Sequence, residues 1–128
     1  MSYYFSKRMK GVTFEEALET VKEALKNEGF GIITEINIKD TFKNKLQVDF
    51  RPYRILGACS PHHAHAAISS EDKLGLFLPC NVVVQELKEG IEVAAVDPVA
   101  SMMAVSNPTL GGIAQEVRQK LEHVIAAL

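Results

Sequence analysis

Cysteine is scarce in this chain, with two in 128 residues, and the two are not spaced as C-x-x-C. That excludes the disulfide framework of small secreted domains, and both are expected to be free thiols in a reducing compartment. An excess of positive charge is lacking too. The net charge is -2, without the clustered Lys and Arg that phosphate neutralisation requires, so nucleic acid is not an expected partner. No apolar run approaches the roughly 18 residues of a membrane span, and residues 1–8 carry no signal-peptide core. A soluble, cytoplasmic protein with no membrane partner is expected. Also missing are H-E-x-x-H, paired C-x-x-C, the Lys and Ser or Thr of a P-loop, and any Ser-His-Asp order or carboxylate pair that stands out. The sequence therefore names no reaction, and a non-enzymatic role is favoured. What is present, 47% apolar and 23% charged residues, is the composition of one globular domain over residues 1–128, long enough to bury a core unaided.

Period-two alternation from Tyr3 suggests a first strand ending near Gly11. Thr13 and Glu16 form a capping box, the apolar stripe Phe14, Ala17, Leu18, Val21 and Leu25 follows, and Gly29 ends it, which predicts a helix over 14–28. A half-buried strand is expected over 31–39, then a short helix capped by Asp40 and running to about 47. Residues 54–58 read as a strand in which Gly57 permits the close approach of another backbone. Ser60-Pro61 reads as a cap and first helical position for a helix to about Ser69. Residues 77–87 read as a buried strand, with Pro79 marking an edge or bulge, and a turn at 88–90 leads to an alternating strand over 91–96. Residues 99–105 suit a short helix or an apolar lid. Asn107-Pro108 and Gly111-Gly112 precede a helical stripe to the C-terminus, where Glu116 and Lys120 make an i, i+4 pair. Strands and helices do not alternate strictly, so the class is α+β: a curved antiparallel sheet with two long helices on one face. The other face needs cover, and a homodimer would supply it.

Chemistry is concentrated in two short pieces. Residues 53–65 and 78–81 hold both cysteines and three of the four histidines. Cys59 precedes a capped helix, where a thiolate or a bound anion is favoured; a packed, inert thiol is the alternative. Cys80 emerges at the same sheet end if the strands before and after the helix are antiparallel, which would make a redox pair or two soft metal ligands. His62 and His65 are three apart and His63 is four from Cys59, spacings that allow a zinc site with Cys59 and Cys80, although no motif supports one. No cofactor is expected otherwise. Arg54, basic within an apolar strand, needs either an internal carboxylate or a bound anion. His123 reads as a surface residue.

The segments Tyr53-Arg54-Ile55-Leu56-Gly57-Ala58-Cys59-Ser60-Pro61 and Leu78-Pro79-Cys80-Asn81-Val82-Val83-Val84 resemble the small prokaryotic proteins known as domain-of-unknown-function family 302. The resemblance covers nearly the whole chain. It implies an α+β domain with a curved antiparallel sheet and two helices, similar in layout to the TATA-binding-protein-like fold, and a tendency to dimerise. The layout implies no DNA binding, because function lives in sites. Ser60 stands where that family often has Asn, and both residues cap helices. The three histidines are less typical of it, which weakens a metal site that depends on all of them. The leading expectation is a homodimer that binds a small, perhaps anionic, ligand near Arg54, Cys59, Ser60, Cys80 and Asn81. The rival expectation is a thiol-redox or metal-binding protein using Cys59 and Cys80 with nearby histidines.

Overall fold

The capping box at Thr13 closes as its residue types require. The Glu16 N–H donates to Thr13 Oγ1 (3.1 Å) and the Thr13 N–H donates to the Glu16 carboxylate (2.9 Å), which starts α1 (Phe14–Asn27) in this computed structural model, which describes residues 2–128. Gly29, at φ +84°, takes the left-handed conformation and lets Phe30 N–H return to Leu25 O at 2.9 Å. The stripe Phe14, Ala17, Leu18, Val21 and Leu25 is buried.

The strands are β1 (Tyr4–Met9), β2 (Gly31–Asn37), β3 (Tyr53–Cys59), β4 (Cys80–Leu87) and β5 (Gly90–Val96). They form one sheet in the order β1-β5-β4-β3-β2, every pair antiparallel and the sheet not closed into a barrel. The expected hairpin joins β4 to β5, and β1 finds its partner in β5, with Tyr4 opposite Val96. Between strands lie α2 (Ile38–Leu46) and α3 (Pro61–Ser70), and after β5 come the short α4 (Pro98–Ser101) and the long α5 (Pro108–Ala126). Helices α1 and α5 pack against one face of the sheet, so the class is α+β. Leu56, Val82, Val84 and Val93 beneath them are fully buried, as are Leu25 and Leu121 above.

Two boundaries and one close contact differ from the sequence expectation, each for a local reason. Asn37, not Asp40, caps α2, because its side chain accepts from the Asp40 N–H at 3.0 Å; β2 therefore stops before Ile38. Strand β4 starts at Cys80 and not Phe77: residues Leu74–Phe77 form a 3₁₀ turn, and Pro79, without an N–H, cannot donate to the ladder. Gly57 admits a side chain and a ring, not a backbone. A β-carbon there would overlap the Thr34 hydroxyl and come within 2.7 Å of Pro79 Cγ. The segment carrying Pro79 is thus laid against the end of β3, which fixes where Cys80 enters the sheet.

A second apolar cluster of Ala67, Leu74 and Leu110, with Leu78, Met102 and Ile113 against it, sits beyond the sheet end. Asp97, buried, joins the two halves: it caps α4 by accepting from Val99 N–H (2.9 Å) and also accepts from Arg118 Nε (3.2 Å) on α5.

Candidate functional site

Four alanines stand where β3, α3 and α5 meet. Ala58, Ala64, Ala67 and Ala114 are too small to fill the space between the sheet end and the second cluster, and a cavity of about 260 Å³ remains. Its wall is otherwise completed by apolar groups such as Ile113 and Val117, and its polar groups are Cys59, Ser60, His63 and Cys80. Antiparallel β3 and β4 bring the two cysteines to the same sheet end, with Ala58 opposite Cys80. Both thiols are free.

Ser60 occupies the cap position of α3 but does not cap it with its side chain. Oγ accepts from no first-turn N–H and lies instead 2.7 Å from His63 Nδ1, one turn along. His63 Nε2 in turn lies 2.7 Å from Glu116 Oε2 on α5. A carboxylate only accepts, so Nε2 carries a proton, and in the neutral ring Nδ1 is left as the acceptor for the Ser60 hydroxyl. Glu116 thus meets His63 and not Lys120, whose ammonium lies 5.5 Å from the centroid of the Phe30 ring.

Arg54 and Asn81 lie outside this cavity. Arg54, five residues before Cys59, pairs with Glu35, which Lys22 also holds at 2.9 Å. Lys22 first, and Arg54 with it, keep the Glu35 carboxyl below the usual range. The internal carboxylate is therefore the partner of Arg54. Asn81 is exposed, beside Phe77 and Pro79. His62 and His65 are exposed, and among the described residues no three or more His, Cys, Asp or Glu side chains are grouped to hold a metal ion. The ligand set considered for zinc is thus not assembled: Cys59, Cys80 and His63 share a cavity without forming such a group, and His62 faces away from it. His123, 70% exposed, lies 3.1 Å from Glu28, on the surface as its sequence context suggested.

The family model described as Domain of unknown function DUF302 matches residues 5–128. The chain belongs to the DUF302 family. A crystal structure of an uncharacterized conserved DUF302 protein from Bacillus stearothermophilus is similar to this DUF302 chain, with a TM-score of 0.89, 24% identity and 98% of each chain covered, which supports the fold. Among curated proteins there is no match. No helix among the described residues is long and apolar enough to cross a membrane.

The two thiols of the DUF302 cavity differ. Cys59 is half-buried, whereas Cys80 is 6% exposed, and burial first, then the nearby Cys59, pushes its thiol up to about 11 from an ordinary 9.0. Between those two values the native protein holds a proton that the unfolded chain has lost, so stability falls as pH rises through this window and is fully present below it. The expected loss is on the order of 2 kcal/mol. It is measured as the difference between the denaturation midpoints of wild type and Cys80→Ala from pH 8 to pH 11. Equal pH slopes in the two proteins would contradict the assignment.

The residue that sequence reasoning passed over is Glu116, separated from His63 by 53 positions. Its only signal was its i, i+4 relation to Lys120, which pointed elsewhere.

Proposed function

We propose that this DUF302 chain is a small-molecule-binding domain, cytoplasmic and homodimeric, whose cavity takes a ligand with an apolar body and one polar or anionic head. The observation that carries the reading is the cavity itself: apolar side chains, four of them alanines, surround it and its hydrogen-bonding groups converge at Ser60 and His63. A mostly apolar pocket with a few placed polar groups is the usual form of a ligand site. An anionic head is favoured at the start of α3, where no side chain caps the first turn. Two free thiols suit a reducing compartment. Octanoate is the probe: saturable binding by titration calorimetry, lost in Ala64→Phe, is the expected result, and equal heats for both proteins would refute it.

The homodimer part of the proposal is supported by the sheet face that α1 and α5 leave bare. Across it run Ser6, Ala94, Val83, Ile55 and Ile36, one from each strand in register. The chain exposes 7514 Å², against roughly 6,700 Å² for a compact monomer of its mass. The excess approaches the area one partner buries in an interface of standard size. Light scattering is expected to give twice the chain mass for wild type and the chain mass for Val83→Glu; a monomeric wild type at micromolar concentration would contradict this.

A thiol-redox role is the second reading, favoured by Cys59 and Cys80 lining one cavity. Oxidation would transfer two electrons and two protons from the thiols to an external disulfide. The raised Cys80 thiol makes this the weaker reading, since the thiolate is the reactive form. Incubation with glutathione disulfide tests it: loss of both thiols without a lasting adduct would favour it.

A further inference from the structure

We infer that Ser60, His63 and Glu116 form a nucleophile, base and carboxylate relay that hydrolyses acyl esters held in the cavity. The inference rests on the ligand site proposed above and names its substrate class. Three observations converge on it. The Ser60 hydroxyl and the Glu116 carboxylate lie on opposite ring nitrogens of His63, each at 2.7 Å. That is hydrogen-bond reach for a base and for the group that orients it. The carboxylate fixes the tautomer, so in the neutral ring the nitrogen facing Ser60 is the unprotonated one. The hydroxyl borders an apolar, alanine-lined space suited to an acyl chain, while His63 is 22% exposed and Glu116 70%, on the side open to a leaving group and to water.

The step balances within these groups and water. As Ser60 Oγ bonds to the ester carbonyl carbon, its proton passes to His63 Nδ1 and the carbonyl electron pair moves onto oxygen. The Ser60 side chain does not cap the first turn of α3, which leaves the His62 and His63 N–H groups available to such an oxyanion. When the C=O re-forms, the C–O bond to the alcohol breaks and the alcohol takes the proton from Nδ1. Water then adds to the acyl carbon and gives a proton to Nδ1; the Oγ–C bond breaks and Ser60 recovers that proton. One ester and one water give one carboxylic acid and one alcohol. Ser60 and His63 are the catalytic residues. Glu116 is a positioning residue, acting through His63.

The test uses p-nitrophenyl butyrate turnover and labelling by a fluorophosphonate, with octanoate binding as a separate readout. Expected are turnover above the buffer rate and a covalent adduct on Ser60. Ser60→Ala and His63→Gln should each lose at least about a hundredfold in rate. Glu116→Gln should lower kcat with KM unchanged, which a purely structural loss would not do. Octanoate binding without turnover or adduct would overturn the relay and leave the ligand site standing. Turnover that survives Ser60→Ala but not Cys59→Ala would overturn it in favour of the thiol. Absence of octanoate binding, turnover and adduct together would overturn both the relay and the site.

Discussion

Leu56→Ala is expected to lower the free energy of unfolding by about 2–5 kcal/mol. Leu56 is fully buried in β3, opposite Glu35 of β2 and Val82 of β4, in the main core that α1 and α5 cover. Truncation removes the transfer free energy of the lost atoms and leaves a void that close-packed neighbours fill only in part. Against a total stability of about 5–15 kcal/mol for a domain of this size, such a loss is large. Denaturant unfolding would show it as a lower midpoint at unchanged slope. The same strand carries Ala58 and Cys59 into the cavity two and three residues later, so octanoate affinity should weaken along with stability. A loss under about 1 kcal/mol would contradict the burial argument.

Asp97→Ala should cost about 2–4 kcal/mol, combining a lost cap with a lost, partly buried ion pair. The Asp97 side chain is 9% exposed and Arg118 is 37% exposed, so the pair is only partly shielded and lies toward the lower part of that range. Asp97→Asn keeps an acceptor for the Val99 N–H and should recover much of the loss. If both variants unfold at the wild-type midpoint, Asp97 does not bind α4 to α5 in solution.

Much of the fold was legible because its signals are local. The Thr13-Glu16 box, the stripe ended by Gly29, and the turn between β4 and β5 each specify backbone within a few residues. Where two local signals competed, the nearer partner won. Asn37 reached the Asp40 N–H before Asp40 could act as the cap, and Ser60 turned to His63 in place of its own helix. The site was only half legible. Cys59, Ser60 and Cys80 were expected together, and antiparallel β3 and β4 place them on one cavity. The partner of Arg54 was not specified by sequence, because Glu35 becomes adjacent only through the β2–β3 register. Glu116 was invisible for the same reason, since only the packing of α3 against α5 brings it to His63.

The central claim is that the alanine-lined cavity beside Ser60 and His63 is a ligand site. An NMR titration of the isotope-labelled protein with octanoate tests it most directly, because it reports position as well as affinity. Saturable shifts concentrated on the amides of Cys59, Ser60, Ala64, Ala67 and Ala114, and absent from them in Ala64→Phe, are the expected result. Shifts confined to the bare sheet face around Ile55 and Val83, or unchanged amides around the cavity at saturating octanoate, would contradict it.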